Sequence, residues 1–263
     1  MNKTLTHKLI GLIITRNEEK NIPALVENLS FLDEIVIVDS CSTDNSKEIV
    51  QQYPQIRFYE NQFENYSAQR NKALEYVEDN WILFLDADER ISEALKEEII
   101  DTVNNNDRTK AYYFKRRFYF NNKPVFFCGL QSDKNIRLFY KNDQVHYQGF
   151  VHEKIQFRGT FNVLQNHLTH YSYENYTSYK KKMYRYGTLK ALEKIEKGEK
   201  PNLFLKYSHP VYTFLSKYLL RLGILDGYKG FILCYLMSYS VYVRYAEIEK
   251  RSKKRHDTIS SRI

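Results

Sequence analysis

Four short apolar runs, each followed by a helical pattern, constrain this chain more than any other feature. "LIGLII" (9–14), "EIVIVD" (34–39), "IRFYE" (56–60) and "WILFLD" (81–86) read as strands. Between them, "EKNIPALVENL" carries helical spacing at Ile22, Leu25, Val26 and Leu29. "DNSKEIVQQY" and "YSAQRNKALEYV" also read as helices, and a further helix starts near Ser92. Strands apolar on both faces, alternating with helices, predict a parallel sheet covered on both sides. In such a sheet, ligands sit beyond the carboxyl ends of the strands. Three of those ends are polar here: "TRNEE", "DSCSTD" and "DADER", and they are predicted to meet at one edge. The last sets Asp86, Asp88 and Glu89 side by side, a cluster whose charges repel unless a cation lies among them.

Phosphate-gripping glycine loops are missing, with no GxGxxG after the first strand and no GxxxxGK[ST] anywhere. A diphosphate approaching a carboxylate-rich edge needs a divalent cation. Mg²⁺ or Mn²⁺ fits, because hard cations take one or two carboxylates together with phosphate oxygens. From 110 to about 170 the texture becomes aromatic. "KAYYFKRRFYF", "IRLFY" and "EKIQF" predict a mixed or antiparallel extension of the sheet. Beyond 172, "YTSYKKKMYRYGTLKALEKIEKG", "LFLKYSHPVYTFLSKYLLRLG" and a segment near 230–250 read as helices. The predicted division is 1–172 and 173–263.

Charge follows the same division. The net +8 arises from −3 over residues 1–172 and +11 over 173–263, and the latter also hold 13 of the 23 tyrosines. A basic, aromatic, helical segment suits an anionic partner, and Tyr with Lys/Arg suits a bilayer interface in particular. The longest apolar stretch, "FILCYLMSYSVYV" (231–243), is shorter than the roughly 20 residues that span a bilayer. The alternative is amphipathic helices that lie on the membrane or pack on the first domain. Cys41, Cys128 and Cys234 show no zinc spacing and no disulfide framework. The short apolar run at 9–14, followed at once by "TRNEE", is not a signal peptide.

"IITRNEEKNI", "DEIVIVDSCSTDNS", "SAQRNKAL" and "WILFLDADER" occur in this order, and the arrangement resembles family 2 glycosyltransferases of the GT-A fold. "QRN", "DADER" and "GFVHEKI" resemble more closely the bacterial subgroup that adds sugars to lipopolysaccharide core. The resemblance is dense over about 8–172. It implies a Rossmann-like, nucleotide-diphospho-sugar transferase sheet with a helical C-terminal extension. It also implies an inverting, metal-dependent hexosyl transfer from a nucleotide-sugar donor, a UDP-sugar, to a lipid-linked glycan. Such an enzyme would be cytoplasmic and peripheral on the inner face of the cytoplasmic membrane. Thr15, Asn17 and Glu18 would line the nucleotide pocket, and Asp39 would accept from the base. Arg70 would face the nucleotide or its phosphates, Asp86 the ribose or sugar, and Asp88 the metal. Glu153 is favoured as general base, with His152 the alternative, since strand neighbours point to opposite faces. His170 is a second candidate metal ligand, suiting Mn²⁺ better than Mg²⁺.

Plainer roles compete. Asp39 and Asp44 are also placed to cap the helix that begins near residue 45, and Glu89 reads as a solvated or salt-bridged neighbour. His170 reads equally as a structural histidine near a strand end. Two other functions compete as well. A nucleotidyltransferase of similar topology needs a glycine-rich basic loop after the first strand, where this chain has "TRNEE". A basic aromatic nucleic-acid binder would stack bases and bind in a salt-sensitive way, which the acidic strand ends oppose, so no nucleic-acid partner is expected.

Overall fold

The computed structural model describes residues 3–149, 153–173 and 175–260. These form two compact units: residues 1–116 with 133–170, and residues 117–132 with 171–263. The second unit is larger than the helical pattern alone suggested, because it includes the segment 117–132.

In the first unit, β1 (Leu9–Thr15), β2 (Glu34–Asp39), β3 (Ile56–Glu60) and β4 (Trp81–Asp86) match the four apolar runs. They lie parallel in the order β3-β2-β1-β4. Alternate side chains feed two separate cores, since successive strand residues face opposite ways. One core holds Leu9, Ile13, Ile37, Trp81, Leu83 and Leu85, covered by α1 (Ile22–Asn28) and α4 (Glu93–Asn105). The other holds Ile10, Leu12, Val36, Val38, Ile82 and Phe84, covered by α3 (Tyr66–Glu75). A short helix, α2 (Ser46–Val50), follows β2.

Beyond β4 the sheet continues as β4-β8-β6-β11-β5, with β4–β8, β8–β6 and β11–β5 antiparallel. The strands are β5 (Glu89–Arg90), β6 (Lys110–Phe120), β8 (Lys134–Tyr140) and β11 (Thr160–Tyr173). This is the mixed extension read from the sequence, although β5 and the long β11 were not foreseen. A separate hairpin of β9 (His146–Gln148) and β10 (Lys154–Gln156) supplies Tyr147 and Ile155 to the second core.

The register aligns the polar strand ends. Thr15 lies opposite Asp39 across β1 and β2, and Ile14 lies opposite Asp86 across β1 and β4. The predicted meeting of these ends at one edge is therefore observed.

In the second unit, the end of β6 turns back through Asn121 and Asn122 to pair with β7 (Lys123–Val125). Both asparagines have positive φ, 49° and 57°, as a two-residue turn matched to strand twist requires. Three helices follow: α5 (Tyr176–Glu196), α6 (Leu203–Leu215) and α7 (Gly227–Ser260). The segment that reads as one helix over 203–223 is divided. After α6 comes a π-helical turn (Ser216–Leu220) and then a 3₁₀ turn (Gly223–Asp226). Cys128 and Cys234 share this unit's core as free thiols. At Gly187 of α5, a Cβ would lie 2.5 Å from the Ser240 carbonyl oxygen of α7, so only glycine permits this crossing.

Candidate active site

The loops after β1 and β2 are laced together. Asn17 adopts φ 58°; its amide donates to Ser42 Oγ at 2.7 Å, and its side-chain oxygen accepts from the Thr43 amide at 2.8 Å. Glu19 and Asp44–Asn45 repeat the reciprocal pattern, each loop's carboxylate accepting the other's amide at 3.1 Å. The Glu18 amide donates to Ser46 Oγ at 2.9 Å, and its carboxylate accepts from Asn21 at 2.7 Å.

Asp39 sits beneath this clasp, fully buried. Its Oδ1 accepts from Thr15 Oγ1 at 2.8 Å and from Ser42 Oγ at 2.6 Å, and its Oδ2 accepts the Ser42 amide at 2.6 Å. Thr15 is buried as well and acts on Asp39 from behind. Neither Asp39 nor Asp44 occupies the N-cap of α2, which is Asn45; Asp44 lies one residue before it and its Oδ1 accepts the Ser46 amide at 3.1 Å.

"QRN" on α3 works as three separate ties. Gln69 accepts from Asn61 at 2.8 Å. Asn71 exchanges two bonds with the backbone of Tyr147, at 2.9 and 2.6 Å. Arg70 lies buried over the Phe84 ring at 4.7 Å and the Tyr147 ring at 5.4 Å. Its Nη2 meets Asp86 Oδ1 at 2.8 Å and its Nε meets Glu153 Oε1 at 3.2 Å. Arg70, Asp86 and Glu153, far apart in sequence, thus form one cluster. Arg70 holds two carboxylates here, and its Nη1 is buried with no hydrogen-bond partner among the described residues.

Two residues of this network escaped the sequence reading. Arg137 of β8, 2% exposed, meets Glu89 Oε1 at 2.6 Å and also bonds Asp86 Oδ2. Arg116 of β6 reaches Glu89 Oε1 at 3.5 Å and Asp133 Oδ2 at 2.6 Å. Glu89 is completely buried, and its Oε2 accepts the Asp86 amide at 3.0 Å, which fixes the tight acidic turn. Of its two plainer readings the salt-bridged one holds.

Burial alone would raise the Asp86 pKa, but Arg137 and Arg70 outweigh it and hold this carboxyl far below the usual range. Burial works against the charge of Arg137 too, and Asp86 with Glu89 reverses that effect and raises its pKa. Burial pushes the Tyr147 phenol up to about 12, so it stays protonated beside the arginines.

Asp88 and His170 come together. The β11–β5 register sets His170 opposite Glu89, and His170 Nε2 lies 3.2 Å from the Asp88 carboxylate. His170 is 7% exposed. The pair offers carboxylate oxygens and one imidazole nitrogen. No cluster of three or more His, Cys, Asp or Glu side chains suited to a metal exists among the described residues. A cation here would therefore need donors from its ligand, which fits the one-or-two-ligand habit of Mg²⁺ and Mn²⁺ bound to phosphates. His152 lies outside the described residues.

Residues 12–163 match the family described as Glycosyl transferase family 2. The lipopolysaccharide core biosynthesis glycosyltransferase LpsC of Rhizobium meliloti is 30% identical over 252 residues, 90% of this chain and 93% of that protein. An uncharacterized glycosyltransferase of Rickettsia conorii is 26% identical over 99% of this chain and 96% of its own length. The crystal structure of S. aureus TarS 1-349 in complex with UDP overlaps 94% of this chain and 91% of its own, at 15% identity and a TM-score of 0.46. With more than half of its length inside the family match and a relative aligned almost end to end, the chain belongs to glycosyl transferase family 2 and is a glycosyltransferase.

Proposed function

We propose that the chain moves a hexose from a UDP-sugar to a hydroxyl of a lipid-linked or lipopolysaccharide-core glycan, with inversion and with Mg²⁺ or Mn²⁺. The observation that carries this reading is the meeting of Asp88 and His170 beside the Asp86–Glu89 turn, at the carboxyl edge of the parallel strands. The acceptor class follows the name of the Rhizobium relative.

In this reading Thr15, Asn17, Glu18 and Asp39 form the base-and-ribose end. Among the described residues Asp39 Oδ2 accepts one hydrogen bond, so it retains an acceptor site for a ring N–H such as that of uracil. Asp88 and His170 would hold the cation, which would supply positive charge to offset the negative charge growing on the departing diphosphate. Asp86, fixed by two arginines, orients the sugar or ribose. Buried Arg70 Nη1 is a donor ready for the nucleotide.

Glu153 takes the proton from the acceptor hydroxyl as that oxygen attacks the anomeric carbon, and the bond to the diphosphate breaks on the opposite face. Arg70 aims Glu153 through Oε1, leaving Oε2 for the acceptor. His152 is the alternative base, which Glu153→Gln and His152→Ala would separate.

The +11 charge of residues 173–263 suits the anionic inner face of the cytoplasmic membrane. Among the described residues no helix is long and apolar enough to cross a membrane.

Calorimetry with UDP, with and without Mn²⁺, tests the core of the reading. Metal-dependent binding should appear and be lost in Asp88→Asn. Unchanged binding in that variant, or full transfer in excess chelator, would overturn the assignment.

A further inference from the structure

The second unit violates the usual rule that large apolar side chains point inward. Along α6, Phe204, Tyr207, Val211, Tyr212 and Leu215 are all exposed. They recur at steps of one, three and four, so they share one helix face. The stripe continues through the two turns that follow. Leu220 is 75% exposed, Leu225 63% and Tyr228, at the start of α7, 79%. Isolated exposed leucines need no explanation, but a contiguous stripe does.

The charges along the stripe indicate what covers it. Between Lys200 and Phe231 the sequence has five Lys/Arg and a single acid, Asp226. Asp226 is buried and turned inward, accepting the Phe126 and Phe127 amides at 3.0 and 2.8 Å. Lys217 and Lys229 donate to the backbone carbonyls of Cys128 and Pro124 and have no ion pair among the described residues, whereas Lys206 is paired with Glu249 of α7 at 2.8 Å. Arg221 is exposed at the turn. A second copy placed on this stripe would set these cations against themselves, which opposes association. A bilayer containing anionic lipid answers both features, taking apolar side chains into the acyl boundary and cations at the headgroups.

We propose that α6 and the turns after it form an insertion surface, with Leu220, Leu225 and Tyr228 entering an anionic bilayer while the chain stays on one side of it. This rests on the membrane-facing reading of the C-terminal unit, not on the transferase chemistry. It adds to that reading that binding depends on apolar insertion as well as on charge.

The test uses the full chain and vesicles of phosphatidylcholine, with and without phosphatidylglycerol. The double variant Leu220→Ser/Leu225→Ser should bind the mixed vesicles about tenfold or more weakly, with an unchanged thermal midpoint. In a second variant, Leu220→Trp, the new indole should shift its emission to the blue on adding mixed vesicles, because the native Trp81 is already buried. Equal binding by parent and double variant, abolished by salt, would overturn insertion and leave a purely electrostatic peripheral contact. No binding by the parent would overturn the membrane reading as well. A blue shift without lipid, accompanied by doubling of mass, would assign the stripe to a second copy instead.

Discussion

The two units depart from the inside-out rule in opposite directions. The first buries charge: Arg70, Arg137 and Glu89 lie inside it, with Asp86 tied between both arginines. The second exposes apolar surface, with Phe204, Leu220 and Tyr228 each more than 70% open. Buried charges persist only where each has a partner, because removing one leaves another desolvated and alone. Exposed apolar surface carries no such internal penalty, since its cost is borne against water. The first anomaly is thus tied to folding and the second is not, and substitutions in each should behave differently.

The largest effect expected is in the buried network. Arg137→Met leaves Asp86 and Glu89 short of a partner and should cost ~3–5 kcal/mol in urea denaturation. A loss below 1 kcal/mol (on the scale of an exposed pair) would break the contrast. Next comes Gly187→Ala, whose new methyl must push α5 from α7. It should destabilise the second unit by about 1–3 kcal/mol, read from its own unfolding transition. Asn65→Ala removes the side chain that accepts the Ala68 amide at the start of α3, and about 1 kcal/mol should be lost. Leu225→Ser is the smallest, within ~0.5 kcal/mol of the parent, because nothing buried is disturbed.

A titration sharpens the same comparison. A carboxyl whose folded pKa lies below its unfolded value contributes stability that is complete above the unfolded value. That stability is lost as pH falls through the folded one. Asp86, held down by Arg137 and Arg70, should remain ionised at the pH, ~3.9, where free aspartate is half protonated. Carbon-detected NMR of the side-chain carboxyl reads this directly. A midpoint in the ordinary range would show the arginines to be disengaged.

What the sequence made legible follows from periodicity. The four apolar strands and their polar ends are local patterns, and the structure reproduces them at the same residues. Arg137 was hidden because an arginine between Ile136 and Leu138 reads as the exposed half of an alternating strand. Its partners arrive from the Asp86–Glu89 turn, which no local pattern reveals. One available signal was the apolar character of β8 on both sides of that arginine. β5 has only two residues, too few for any period, and β11 mixes Gln165, Asn166 and His167 into its apolar positions. The end of α6 at Leu215 was similarly masked, because the leucine spacing continues into the turn that follows.

Asp88 and His170 are 82 residues apart in the chain, and their contact depends on β11 reaching β5. During synthesis the loops after β1 and β2 emerge first, and the bonds that lace them together need no residue of the later strand. The Asp88–His170 contact is different, because it cannot exist until β11 has left the ribosome. Whatever that contact grips is therefore acquired last, by a chain whose first sheet is already in place.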